Sequence, residues 1–117
     1  MLRLNEGSCI YLATTPVDFR KAINGLAALV LEQFETPVND GSVYVFYNQD
    51  RDRVKCLYWD KNGFVLHHKR LDRGKFKLGK GRSGAHVITE QQLSWLLAGL
   101  DFMLMTEFPH LDYTHYF

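Results

Sequence analysis

The stretch from residue 43 to residue 82 constrains this chain most. It reads VYVFYNQDRDRVKCLYWDKNGFVLHHKRLDRGKFKLGKGR, and its side chains alternate with a period of two over three successive runs. A helix cannot use that period. The tips NQDRDR and DKNG carry turn residues, so the stretch predicts three short strands joined by hairpins at residues 48–53 and 60–63. In the first strand Tyr44 and Phe46 share one face, while Val43, Val45 and Tyr47 share the other. In the second, Val54, Cys56 and Tyr58 oppose Lys55, Leu57 and Trp59. Both faces are partly apolar, which predicts one face covered by helices and the other wet but aromatic.

The same stretch gathers charge. Residues 48–82 hold eleven of the fourteen Lys and Arg but four of the thirteen Asp and Glu. That gives +7 there against −6 over the rest, so an overall charge of +1 conceals a positive pole. Seven bases fall within residues 69–82, beside a glycine-rich segment and interleaved with aromatic side chains. Phosphate backbones favour such a patch through counterion release, and aromatic rings can stack on exposed bases. The candidate nucleic-acid contacts are therefore Arg51, Arg53, Lys55, Lys69, Arg70, Arg73, Lys75, Lys77, Lys80 and Arg82, with Trp59, Phe64 and Phe76 as aromatic contacts. The plain alternative is a solvated charged face. No helix-turn-helix or zinc-finger pattern is present.

The flanks supply helices. TTPVDF predicts a helix start, with Thr15 as cap, Pro16 at the first helical position and Asp18 completing a capping box. Arg20 beside it reads as solvated. Phe19, Ile23, Leu26, Val30 and Phe34 follow at spacings of one helical face, and Pro37 ends the helix at residues 35–36. Gly25 within it suggests a close approach by another backbone. Before this helix, SCIYLA predicts a first strand. Residues 74–84 read as a mobile glycine-rich loop. Thr89 and Gln92 then form a second capping box, with Ile88 and Leu93 as its hydrophobic staple. Leu93, Leu96, Leu97 and Leu100 make its apolar stripe, and Gly99 its stop. The expected fold is a single α+β domain over residues 1–108, with an antiparallel sheet of four to five strands and two principal helices packed on one face. Residues 109–117 form an acidic, aromatic tail.

Chemistry beyond binding finds little support in the pattern. The acids are scattered where phosphoryl transfer on magnesium needs them gathered. Asp60 before Lys-Asn-Gly serves a tight turn. His67 and His68 are adjacent in a strand and point to opposite faces, so they cannot readily chelate one metal, and His110 and His115 have no cysteine near them. No serine sits in a nucleophile elbow, and GKGRSG lacks the phosphate-loop pattern. The expectation is a non-enzyme with no cofactor and no metal. Isolated Cys9 and Cys56, no signal peptide and no membrane-length apolar run predict reduced thiols in a cytoplasmic protein.

Four fragments in order, DFRKAINGLAALV, VYVFYNQDRDRVKCLYWDKNGF, KRLDRGKF and ITEQQLSWLLAGLDF, resemble the small accessory proteins of the insertion sequence 66 family of bacterial mobile elements. These are the products of the element's second open reading frame, often called TnpB. Asp18, Arg20, Gly25 and Leu26 match the family's helix signature. Lys55, Trp59, Asp60 and Gly63 match its central hairpin, and Lys69, Arg70, Leu71, Gly74 and Phe76 its basic strand end. The tail departs from relatives that end in a short basic, proline-containing segment. The resemblance implies a part in transposition beside a larger transposase that carries the chemistry. Expected partners are DNA with weak sequence preference, the transposase and other accessory proteins of the element, with a homo-oligomer also open. The competing expectation is a protein–protein adaptor that docks on those proteins without touching DNA.

Overall fold

The computed structural model describes residues 8–34, 39–78 and 86–102. Its centre is strand β2 (Val43–Tyr47), and every one of its five residues is buried. A strand buried on both faces needs an unbroken apolar run, which VYVFY supplies. Strand β3 (Arg53–Asp60) pairs antiparallel with β2, and β4 (Gly63–Arg70) pairs antiparallel with β3. On the other side β1 (Ile10–Leu12) runs parallel to β2, and the short β5 (His86–Ile88) closes the sheet antiparallel to β1. The order is β4-β3-β2-β1-β5. The sheet is thus α+β and mostly antiparallel as expected, with one parallel pair. That pair arises because β1 and β2 are joined by a crossover carrying a helix, which an antiparallel hairpin would not require.

The crossover helix α1 (Ile23–Gln33) covers the sheet face that carries Tyr11, Tyr44 and Phe46. Phe34 at its end meets all three rings, with centroids 5.7, 5.4 and 6.2 Å away. Leu26 and Val30 are fully buried, whereas Phe19 and Ile23 are only partly so. Helix α1 starts later than its sequence predicts. Its N-cap is Ala22 with no side-chain cap, and the stretch with Thr15 and Pro16 is not helical. The reason is a competing pairing: Ala13 N–H donates to Val45 O, and Val17 N–H donates to Tyr47 O, both at 2.9 Å. The chain keeps following β2 and cannot coil there. Gly25 does face a close neighbour, but it is the Lys21 side chain at 3.1 Å from an added Cβ and not another backbone.

Helix α2 (Glu90–Leu97) forms as its sequence predicts. Gln92 N–H donates to Thr89 Oγ1 at 3.0 Å and Thr89 N–H donates to Gln92 Oε1 at 2.9 Å, a complete capping box. Gly99 then adopts a left-handed φ of 83°, a conformation that glycine takes at little cost. Leu93 and Leu96 are buried, but Leu100 is 44% exposed, and Phe102 fills the core in its place. Lys69, on the face of Val54 and Cys56, donates from Nζ to Leu97 O at 2.7 Å. The helices therefore divide the two faces between them rather than sharing one. Both faces of β2 and β3 are apolar, so each needs cover. The segment after β4 contributes as well: Phe76 and Leu78 are buried, so residues 74–78 are docked and are not part of a mobile loop. The remainder of that glycine-rich stretch, the helix terminator at residues 35–38 and the tail of residues 109–117 lie outside the described residues. Among the described residues no helix is long and apolar enough to cross a membrane.

Candidate nucleic-acid interface

The turn between β2 and β3 is built by Asn48. Its Oδ1 accepts from the backbone N–H groups of Asp52 and Arg53, and its Nδ2 donates to Asp52 Oδ1 at 2.7 Å. Asn48 and the nearby Arg53 and Arg70 hold the Asp52 carboxyl below its ordinary range. Two later backbone bonds fold the chain back onto this turn, Leu71 N–H to Asp52 O at 2.9 Å and Phe76 N–H to Arg51 O at 2.7 Å. The result is one end of the sheet carrying Arg51, Arg53, Arg70, Arg73, Lys75 and Lys77, with Asp50, Asp52 and Asp72 as the acids among them. Arg70, Arg73, Lys75 and Lys77 are exposed.

Not every sequence candidate joins them. Lys55 is 7% exposed, and its ammonium donates to Phe19 O at 3.0 Å and Lys21 O at 2.9 Å while lying 4.7 Å from the Phe19 ring centre. Burial, and then Arg53, lowers its pKa. Lys55 is committed to holding the entry of α1 against the sheet and has no free charge to offer a phosphate. Lys69 turns to the end of α2. Phe76 is 2% exposed and cannot stack on a base. Trp59 and Phe64 do face each other across the ladder, edge to face at 4.9 Å, but at the far end of the hairpin. An eight-residue strand puts them about 20 Å from Arg53 at about 3.3 Å per residue. That far end holds a cavity of about 270 Å³ lined by residues 39–41 and 58–61, whose Asp40, Asp60 and Lys61 mix both signs of charge. Lys80 and Arg82 lie outside the described residues.

One neighbour of the site was absent from the sequence candidates. His68 packs edge-on against Phe19 at 5.7 Å, and its pKa is lowered by burial and then by Lys55, Arg53 and Arg70. Equal counting from the residue 60–63 turn reveals it, because residues equidistant from a hairpin turn face each other. By that rule Arg53 opposes Arg70 and Lys55 opposes His68, as observed. Asp18 serves neither cap nor site; it binds the Arg20 guanidinium at 2.6 Å. His67 meets Tyr58 Oη at 3.2 Å, on the face opposite His68. Among the described residues no group of three or more His, Cys, Asp or Glu is placed to hold a metal ion.

The comparisons with known proteins point one way. The family model described as IS66 Orf2 like protein matches residues 8–107. The chain is similar to an uncharacterized protein of Sinorhizobium fredii, y4jC, at 38% identity over 93% of each chain. It also resembles y4hO of the same organism, likewise uncharacterized, at 35% identity over 86% of this chain and 88% of that one. No solved structure matches significantly.

Proposed function

Because this chain belongs to the IS66 Orf2-like family of transposition accessory proteins, we propose that it binds DNA through the basic end of its sheet and helps assemble the transposase–DNA complex. The observation that carries this reading is the gathering of Arg51, Arg53, Arg70, Arg73, Lys75 and Lys77 around one turn, from three separate stretches of chain. Long side chains on a rigid sheet end suit contact with phosphates, which fix position without reading sequence. The distance of Trp59 and Phe64 from these cations, and the burial of Phe76, favour duplex backbone over stacked single-stranded bases. Transposase and sister proteins of the element are the expected partners of the bound form.

The test is a titration of duplex DNA at several salt concentrations. Log affinity should fall against log salt with a slope of about −0.9 per phosphate neutralised. Changing Arg73, Lys75 and Lys77 together to Gln should flatten that slope by up to about 3 units. Those three side chains are exposed, so thermal stability should hardly move. The adaptor reading draws on the same charge. If the parent fails to bind DNA at low salt, yet the triple change weakens its capture by transposase, the positive pole serves a protein surface instead.

A further inference from the structure

The cavity at the far end of the β3–β4 hairpin takes no part in the basic pole, and its lining has a chemistry of its own. Trp59 stays partly exposed there, its indole braced edge to face by Phe64 at 4.9 Å. Two carboxylates from separate stretches join it, Asp40 ahead of β2 and Asp60 at the end of β3. Asp40 is fixed in place: its Oδ1 accepts from Ser42 N–H at 2.8 Å and from the Tyr44 hydroxyl at 3.4 Å. The same turn is tied to the residues before β1. Ser8 Oγ–H donates to Asp40 O at 3.2 Å, and Cys9 N–H donates to Ser42 Oγ at 3.1 Å. Among the described residues no group bonds the Asp60 carboxylate or the second oxygen of Asp40. Lys61 lines the cavity too, at a left-handed φ of 55° that lysine seldom adopts, yet its ammonium bridges neither carboxylate.

An aromatic plane beside two carboxylates that lack a cation is suited to a guanidinium. The ring attracts its face, and the carboxylates accept its N–H groups. At about 270 Å³ the cavity falls below the range of about 300–1,000 Å³ usual for small-molecule sites, and it suits one side chain. We propose that this cavity receives a single arginine side chain from a basic segment of a partner protein, its guanidinium against Trp59 and hydrogen-bonded to Asp40 and Asp60. The two ends of the hairpin then take opposite partners, an anion near Arg53 and a cation about 20 Å away at Trp59. The chain's own exposed arginines are engaged elsewhere: Arg20 is held by Asp18, and Arg70 and Arg73 belong to the DNA-facing end. That choice of occupant rests on the DNA-binding reading above; the arginine site does not.

The probe is blocked arginine, N-acetyl-arginine amide, and the indole N–H resonances of the chain's two tryptophans report on it. Trp59 should shift and saturate, while Trp95 on α2 stays in place. Blocked citrulline has the same shape without the charge and should bind about tenfold more weakly or worse. Asp60→Asn should weaken the arginine response about fivefold or more. Asp60 is exposed and its carboxylate is unbonded, so the urea midpoint of that variant should match the parent's. Lys61→Gly removes the competing ammonium and should tighten binding about two- to fivefold. No saturable shift at Trp59, an equal response to citrulline, or an unchanged response in Asp60→Asn would overturn the site. These readouts contain no DNA, so they fail or succeed independently of the DNA-binding reading. Sedimentation at low salt then identifies the occupant. A monomeric parent supports an arginine from another protein. A parent that self-associates, and is dispersed both by Asp60→Asn and by blocked arginine, takes it from a second copy and overturns that assignment.

Discussion

Replacing Lys55 by Met tests whether this lysine is structural or a DNA contact. Methionine keeps most of the unbranched stem that packs in the sheet and removes only the ammonium. Two carbonyls, of Phe19 and Lys21, then lose their donor. Hydrogen bonds from a charged donor contribute about 1.5–3 kcal/mol each, and the relief of burying the charge offsets part of two such bonds, leaving a cost of about 2–4 kcal/mol. Lys55→Ala should cost about 1–2 kcal/mol more, because the stem is lost as well. Urea unfolding followed by circular dichroism gives the number, provided the slope on urea stays constant between variants. Residues 18–22 should also gain amide exchange in Lys55→Met, since their anchor to β3 is gone. A Lys55→Met protein within about 0.5 kcal/mol of the parent, with a DNA salt slope flattened by about one unit, would refute the structural account. Lys55 would then be a phosphate contact after all.

Leu26→Ala should cost about 2–5 kcal/mol in the same assay, because Leu26 is fully buried, whereas Lys21→Ala should cost under about 0.5 kcal/mol, its side chain being exposed and its hydrogen bonds being made by backbone groups that alanine keeps. Asp18 has its pKa lowered from 3.8 to about 2, chiefly by the Arg20 hydrogen bond. A depressed carboxyl pKa gives stability that is present above about pH 4 and lost as pH falls toward 2. Asp18→Asn should therefore show a shallower decline than the parent over that window in an acid titration. Cys56 is pushed up to about 12 by burial, so at pH 8 a thiol reagent should modify it only as fast as the protein unfolds. Urea should accelerate that reaction in step with loss of structure.

What the sequence disclosed and what it hid divide by the range of the interaction. Helix α2 was legible because Thr89 and Gln92 satisfy each other within one turn. The β2–β3–β4 meander was legible because alternation and turn residues are local too. The start of α1 was not. Thr15, Pro16 and Asp18 have the right spacing for a cap, but the Val17 amide is taken by Tyr47, thirty residues on. Lys55 reads as a surface cation until two carbonyls more than thirty residues upstream accept from it. Phe76, set among glycines and lysines, reads as loop, yet its amide is pinned to Arg51 and its ring is buried. The basic pole itself was visible as a charge count. Which of its members face one another depended on counting from the hairpin turn, and which were consumed internally depended on contacts no local pattern encodes.

The place of β1 in the sheet bears on how the molecule assembles during synthesis. β1 sits between β2 and β5, and Ile10 pairs with Ile88 in one direction and Val43 in the other. Among the described strands, the earliest in the chain is thus completed by the latest. The meander has short loops and can form early, while β1 must wait for the crossover and then for β5, at a larger cost in loop closure. A nascent chain stopped before residue 86 would hold β1 as an edge, with its outer row of amides and carbonyls unpaired. Release of the C-terminal third should therefore be the slow, committing event in folding, and truncations there should aggregate through the first strand rather than through the meander.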